Sequence, residues 1–214
     1  DHIGMKESLG QTEDAVGSAY ITRIDISAIN FNILRKEFTR VKHKNLLFRD
    51  LGDFIECSLD RLVAANPNRR DYFERYRQII EEYNSGKDRT NIEKTFEALI
   101  QLVQELSEEE SRYIREGFTT DDELAIFDLL KKDNPNKADI KKLKATATEM
   151  YSKITEAISR MDHWTDKDET TAEIQNLIRD ILWRELPESY DDRLIEICRG
   201  DVFEYVYTRY GYMA

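Results

Sequence analysis

The chain has 214 residues, of which 35% are charged and 40% hydrophobic, and its formal net charge is −11 at pH 7. An acidic balance of this size argues against nucleic-acid binding over the whole surface, because phosphates and carboxylates repel each other. The sequence contains three prolines and eight glycines, and this low content favours long helices over a turn-rich β fold.

The cysteines and the hydropathy profile indicate a reduced, cytoplasmic protein without a membrane partner. Cys57 and Cys198 lie at apolar helical positions, far apart and without metal or redox spacing, so we predict that both are core thiols. No apolar stretch is long enough to cross a bilayer, and no signal peptide is present. The three histidines are too isolated to predict a metal site.

The first thirty residues differ in pattern from the rest of the chain. Residues 1–19 are polar, carry three glycines and show no helical stripe, so we interpret them as a cloning remnant or flexible lead-in. Residues 20–26 alternate weakly and indicate a short strand or an extended connector. Beyond them, apolar residues recur with helical periodicity. The predicted fold is all-α, a multi-helix, bundle-like domain after an irregular or short extended lead-in.

In the first half, apolar stripes predict helices over about 45–65 and 71–83, and Asn91 is a candidate N-cap for the next one. Ser107 and Glu110 have capping-box spacing and predict a further helix. The polar joint before Asn91 suggests an N-terminal helical segment, 20–90, and a C-terminal helical domain, 91–214. The alternative is one continuous unit from residue 27.

The second half begins with a stronger signal. Thr120 and Glu123 have capping-box spacing, and the apolar residues that follow form one helical stripe. A turn at residues 134–135 precedes a long predicted helix whose apolar residues run from Ile140 to Met161. A short connection that contains Trp164 then leads to two more helices, and we expect Trp164 to fill the gap between its neighbours.

This order of elements resembles the C-terminal region of the restriction (motor) subunit of type I restriction–modification enzymes. Members carry an acidic "SEEELAFYDAL"-like helix start, a long amphipathic helix, an "IDWT"-like connection and a final helix of the "ILRKYG" kind. The counterparts here are residues 120–130, 141–161, 161–165 and 181–185. The resemblance covers about residues 27–186.

The resemblance implies a parent enzyme that is an ATP-dependent DNA translocase and site-specific deoxyribonuclease, with ATP and Mg²⁺ as cofactors. In that family the chemistry belongs to a nuclease domain and two helicase-like domains. This chain has no glycine-rich phosphate loop and no catalytic motif, so we expect a non-catalytic C-terminal domain that holds no cofactor or metal itself. The implied partners are the modification and specificity subunits of the methyltransferase core and double-stranded DNA.

Positive charge is concentrated in two blocks. Residues 35–49 contain six basic residues and one acid, and residues 131–144 contain six basic residues and two acids. A solvated helix face ordinarily mixes both signs, so sorted charge favours contacts with phosphates. The candidate DNA contacts are Arg35, Arg40, Lys42, Lys44, Lys131, Lys132, Lys141 and Lys142.

The aromatic end of the last helix is the candidate docking surface for the methyltransferase core. Tyr205 and Tyr212 lie off the apolar stripe of this helix, so we predict an exposed tyrosine cluster of the kind that interfaces use. The candidates are Phe203, Tyr205, Tyr207, Tyr210 and Tyr212. The alternative interpretation is a free-standing, acidic helical scaffold that binds another protein and not DNA.

Overall fold

The structure is a computed structural model that describes residues 31–40, 44–85, 89–132 and 134–211. Within these ranges it contains nine α-helices and a short 3-10 turn, and no strand. The all-α prediction is therefore confirmed. The lead-in of residues 1–19 and the candidate strand of residues 20–26 lie outside the described residues.

The helices are α1 (Phe31–Arg40), α2 (Lys44–Ala65), α3 (Arg70–Ser85), α4 (Arg89–Glu110), α5 (Arg112–Glu116), α6 (Asp121–Leu130), α7 (Lys137–Ile158), α8 (Asp168–Glu185) and α9 (Asp192–Tyr210). The 3-10 turn, Pro67–Arg69, separates α2 from α3. Among these described helices, none has the length and apolar composition that a bilayer crossing requires.

The described chain divides into two compact units. The first contains residues 31–61 and 71–110, and the second contains residues 62–70 and 111–211. The sequence suggested a boundary between residues 90 and 91, whereas α4 belongs to the first unit throughout its length. Residues 62–70 join the second unit although the chain on either side of them belongs to the first.

The core of the first unit combines buried aliphatic side chains with stacked aromatic rings. Phe38 of α1 stacks on Phe96 of α4, with ring centroids 3.6 Å apart, and Phe48 of α2 stacks on Tyr83 of α3 at 4.3 Å. Tyr76 of α3 is also buried.

Two of the predicted helix starts in this unit are wrong. The backbone is already helical at Arg89, so Asn91 does not cap α4. The same helix continues through Ser107 to Glu110 and breaks only at Ser111, so the second capping box does not form. Buried leucine and valine side chains extend along α4 to Leu106, and their packing favours an uninterrupted helix.

In the second unit four helices pack against one another in a closed ring. Helix α6 packs against α7, α7 against α8, α8 against α9, and α9 against α6. Their shared core includes fully buried residues from each of them, Leu124, Leu143, Ile178 and Val202. This ring of helices is the bundle-like domain that the sequence predicted.

The ends of these helices follow the cap chemistry of the sequence. Thr120 and Glu123 form the predicted capping box at α6, and Asn136 caps α7 directly after the predicted turn. Asp191 caps α9 by accepting a hydrogen bond from the backbone N–H of Leu194 at 2.8 Å. Side-chain oxygens therefore satisfy the otherwise unpaired amides at three helix starts.

Trp164 fills the connection between α7 and α8, as predicted. Its side chain is fully buried, and its ring packs edge-on against Tyr207 with centroids 5.7 Å apart. The indole Nε1–H donates to the backbone carbonyl of Tyr210 at 3.2 Å. One residue thus ties the α7–α8 connection to the end of α9.

Candidate functional site

The acidic start of α6 forms a polar cluster around the buried side chain of Tyr205. The hydroxyl of Tyr205 donates to Oδ1 of Asp122 at 2.7 Å and lies 3.3 Å from the carbonyl oxygen of Ala65. Nε of Arg209 donates to the same Asp122 oxygen at 3.0 Å. Burial, followed by the hydrogen bond to Asp122, raises the pKa of Tyr205.

Residues 62–70 supply further partners to α6. The guanidinium of Arg69 is almost fully buried and donates to both carboxylate oxygens of Asp121, at 2.7 and 2.6 Å. Nδ2 of Asn66 donates to Asp128 at 2.7 Å, and Arg112 pairs with the same carboxylate. The acids of α6 therefore stabilise the fold by more than their favourable position at a helix N-terminus.

The sequence analysis missed Asn66 and Arg69. The only signal was a weak one: a polar, proline-containing break, Asn66–Arg70, between two apolar helices. Pairing of Arg69 with an acid 52 positions later is a long-range contact that helical periodicity does not report.

Tyr205 corrects the prediction of an exposed tyrosine cluster. The side chain is 4% exposed, because α6 and residues 62–70 cover the side of α9 on which it lies. Tyr207 is 41% exposed, and its ring lies 5.9 Å from the partly buried ring of Phe203. Tyr210 is partly buried, and Tyr212 lies outside the described residues. Of the predicted docking residues that the structure describes, Tyr207 is the most accessible.

The basic block around α7 separates into two groups. In the first, lysines have partners inside the second unit. Nζ of Lys132 donates to the carbonyl of Ser189 at 3.1 Å, and Nζ of Lys142 donates to the carbonyl of Leu186 at 3.1 Å. The carbonyl of Leu186 lies at the C-terminal end of α8, where a cation also favours the helix dipole.

Lys144 belongs to the same group, although the sequence analysis did not single it out. Its Nζ donates to Oε2 of Glu116 at 2.8 Å and to the Glu116 carbonyl at 2.7 Å. The hydrogen bond from Lys144 lowers the pKa of Glu116. These lysines hold helix ends together.

The second group is exposed. Lys137 and Lys141 lie one turn apart on α7, and neither forms an ion pair with any described residue. Lys131 is also exposed, at the end of α6, and its charge contributes to the lowered pKa of Glu116. The sequence analysis included Lys131 and Lys141 among the DNA candidates but not Lys137.

The candidates of the first block lie in the first unit. Nε of Arg35 pairs with Glu97 of α4 at 3.0 Å, whereas Arg40 is exposed in the last turn of α1. Lys42 lies outside the described residues. The backbone of Lys44 begins α2, and its side chain is outside the described part.

The two thiols differ in environment. Cys198 is 3% exposed, as predicted, and burial raises the pKa of its thiol to about 11. Cys57 is exposed, so its predicted place in the core is wrong. Both are free thiols. Across the described ranges, no group of His, Cys, Asp and Glu side chains is arranged to hold a metal ion.

A comparison of the sequence with models of protein families shows which family the chain belongs to. Residues 8–205 match the family described as type I restriction enzyme HindI endonuclease subunit-like, C-terminal. The chain belongs to this family. No curated protein and no solved structure matches it.

Membership in the HindI endonuclease subunit-like family confirms the resemblance drawn from the helix motifs. The match begins at residue 8, so the family region includes residues 8–19, which the sequence analysis set aside as a lead-in. In this member of the family, the acidic motif at the start of α6 serves the polar cluster around Tyr205, and the tryptophan of the α7–α8 connection is a core residue.

Proposed function

We propose that the chain is a non-catalytic helical domain of a type I restriction enzyme motor subunit. It docks that subunit onto the methyltransferase core and contacts the DNA backbone near the translocation channel. The parent enzyme supplies ATP-driven translocation and DNA cleavage. Membership in the HindI endonuclease subunit-like family supports the assignment to a type I restriction enzyme. The carboxylates of Asp121, Asp122 and Asp128 are engaged with internal cations, which fits a structural role for the acidic motif.

The observation that carries the DNA contact is the exposed lysine pair on α7. Lys137 and Lys141 are separated by four residues, a rise of about 6 Å along a helix, and they lie on one side of it. Lysines that have no ion-pair partner among the described residues are available to replace the counterions of a phosphate backbone. Such contacts give affinity without sequence preference, as expected where the specificity subunit selects the site.

The structure supplies a matched control. Lys132 and Lys142 lie in the same basic block and have internal carbonyl partners. The double variant Lys137→Gln/Lys141→Gln and the double variant Lys132→Gln/Lys142→Gln change the net charge equally. Only the first removes lysines that are free to contact phosphates.

The test is fluorescence anisotropy of the full chain with two labelled 20-base-pair duplexes of unrelated sequence over a range of salt concentrations. Loss of Lys137 and Lys141 should weaken binding to both duplexes equally and reduce the slope of log affinity against log salt by about two. The control variant should keep the slope and show a lower melting temperature. An unchanged slope in the first variant would contradict the DNA contact and favour the acidic scaffold.

A further inference from the structure

Lys144 lies on the same side of α7 as the exposed pair Lys137 and Lys141. The three lysines follow one another at spacings of four and three residues, so their side chains share one face of the helix. The row rises about 10 Å along the helix axis. Lys144 differs from the other two because it is half-buried and has partners within the second unit.

The position of Lys144 does not depend on a carboxylate. Its Nζ donates to the backbone carbonyl of Glu116 at 2.7 Å. The ammonium group also lies 5.7 Å from the ring centroid of Phe118 and 5.8 Å from that of Phe127, and contacts between a cation and aromatic rings are attractive. An ammonium has three N–H donors, so one donor remains after the carbonyl and the carboxylate of Glu116 are satisfied.

The carboxylate of Glu116 lies among positive charges. Its Oε2 accepts from Nζ of Lys144 at 2.8 Å, and this hydrogen bond is the main cause of the lowered pKa of Glu116. The charges of Arg112 and Lys131 lower the pKa further. Arg112 is paired with Asp128, whereas Lys131 forms no ion pair with a described residue. Lys144 and Lys131 thus act on one anion position, which the carboxylate of Glu116 fills.

Glu116 is the most exposed of the described acids in α5, α6 and the first half of α7, because its side chain is 39% exposed. The others are less exposed and have internal partners: Asp121 and Asp122 pair with Arg69 and Arg209, Glu123 forms the capping box, Asp128 pairs with Arg112, and Asp139 accepts from Ser189. Asp133 lies outside the described residues. Glu188 is exposed in the α8–α9 connection, which contacts α7 through Asp139, on the side opposite to Lys141.

The composition of this face favours phosphates over an acidic protein. Protein interfaces have an apolar core with charge at the rim. From Lys137 to Thr148, the exposed residues of α7 are lysine, alanine and threonine, without a large apolar side chain. Ile114 of α5 is exposed, but it lies two residues from Glu116 and therefore on the other side of that short helix. A duplex presents closely spaced phosphates, for which a row of lysines is sufficient.

We propose that Lys144, together with Lys131, forms a further phosphate site for DNA, and that the carboxylate of Glu116 occupies this site in the free chain. The inference rests on the proposed function and deepens it. A duplex bound at Lys137 and Lys141 brings a phosphate that displaces the carboxylate, while Lys144 keeps its hydrogen bond to the Glu116 carbonyl. Glu116 therefore weakens DNA binding, and its side chain sets how many phosphates the row contacts.

The test variant is Glu116→Gln, with Glu156→Gln as its control. Each change removes one negative charge from a carboxylate that is paired with one cation, Lys144 or Arg160. Glu156 lies twelve residues beyond Lys144 on α7, about 18 Å along the axis, and this distance exceeds the Debye length of about 8 Å at physiological salt. Glutamine retains an oxygen that can accept a hydrogen bond, so both variants should melt close to the parent chain.

Binding of the full chain is measured by fluorescence anisotropy with the same duplexes and salt series that test the lysine pair. Glu116→Gln should tighten binding about fivefold to tenfold at 0.1 M salt and steepen the slope of log affinity against log salt by about one, because one more counterion is released. Glu156→Gln should leave both quantities unchanged. The double variant Glu116→Gln/Lys144→Gln should lose the gain, because the phosphate site then lacks its lysine.

Three outcomes would overturn the inference, and they can be told apart. If the parent chain binds DNA and Glu116→Gln binds with the same affinity and slope, the further site is wrong, whereas the contact by Lys137 and Lys141 stands. Equal tightening by Glu116→Gln and Glu156→Gln would show that net charge alone controls binding. If neither the parent chain nor Glu116→Gln binds either duplex, the proposed DNA contact itself is wrong, and the further site falls with it.

Discussion

Replacing Tyr205 with phenylalanine removes one hydroxyl from the polar cluster at the start of α6 and leaves the ring in place. The hydroxyl donates to Asp122 at 2.7 Å, and the side chain is 4% exposed. Asp122 keeps its hydrogen bond from Arg209, so the carboxylate remains paired. The loss is therefore one hydrogen bond to a charged group, which contributes about 1.5–3 kcal/mol.

Tyr207→Phe is the matched control, because the same atom is removed two positions later on the same helix from an exposed residue. It should change the free energy of unfolding by less than about 0.5 kcal/mol. A loss of about 2 kcal/mol corresponds to a decrease of about 4–8 °C in melting temperature for a chain of this size. Thermal melts followed by circular dichroism resolve this difference.

A pH series gives a second readout of the same hydroxyl. The pKa of Tyr205 is raised in the folded chain, so above about pH 10 the unfolded state loses this proton while the folded state keeps it. Stability should therefore fall as the pH rises beyond that point, and it should fall less steeply in Tyr205→Phe. Equal destabilisation by the two Tyr→Phe changes, or identical alkaline slopes, would refute the role of the cluster.

Two further predictions follow from burial. Leu143→Asp places a charge at a fully buried position of α7 and should lower the free energy of unfolding by more than about 4 kcal/mol. Thr148→Asp, on the exposed side of the same helix, should lower it by less than about 1 kcal/mol, and urea titration followed by circular dichroism measures both. Ellman's reagent at pH 8 should label Cys57 rapidly and Cys198 only after unfolding, because burial raises the pKa of Cys198 to about 11. Labelling of both thiols at one rate in the native chain would contradict the second prediction.

The sequence predicted those features that depend on residues close together in the chain. Thr120 and Glu123 lie three positions apart, and their side chains and amides meet in any helix that starts there. Ser107 and Glu110 have the same spacing and form no cap. A capping box also requires the backbone to leave the helix before its first residue, and α4 continues instead.

Features that depend on distant partners were not predictable. Tyr205 lies off the apolar stripe of α9, which suggested exposure, yet its partner Asp122 is 83 positions away in sequence. The same reason explains the basic block of α7. The sequence shows that the block is basic. It does not show that Lys132 and Lys142 donate to the distant carbonyls of Ser189 and Leu186, and these hydrogen bonds distinguish them from the exposed lysines of the block.

The second unit is built from two separate parts of the chain, and this affects how it folds during synthesis on the ribosome. Residues 62–70 are synthesised long before their partners. Tyr205, whose hydroxyl donates to the carbonyl of Ala65, lies 140 positions later in the chain. At about 5–20 residues per second, this delay is about 7–28 s. Asp121, the partner of Arg69, follows after 52 positions, but the cluster is complete only after α9 has been synthesised. A chaperone that binds this early segment would have many seconds in which to act.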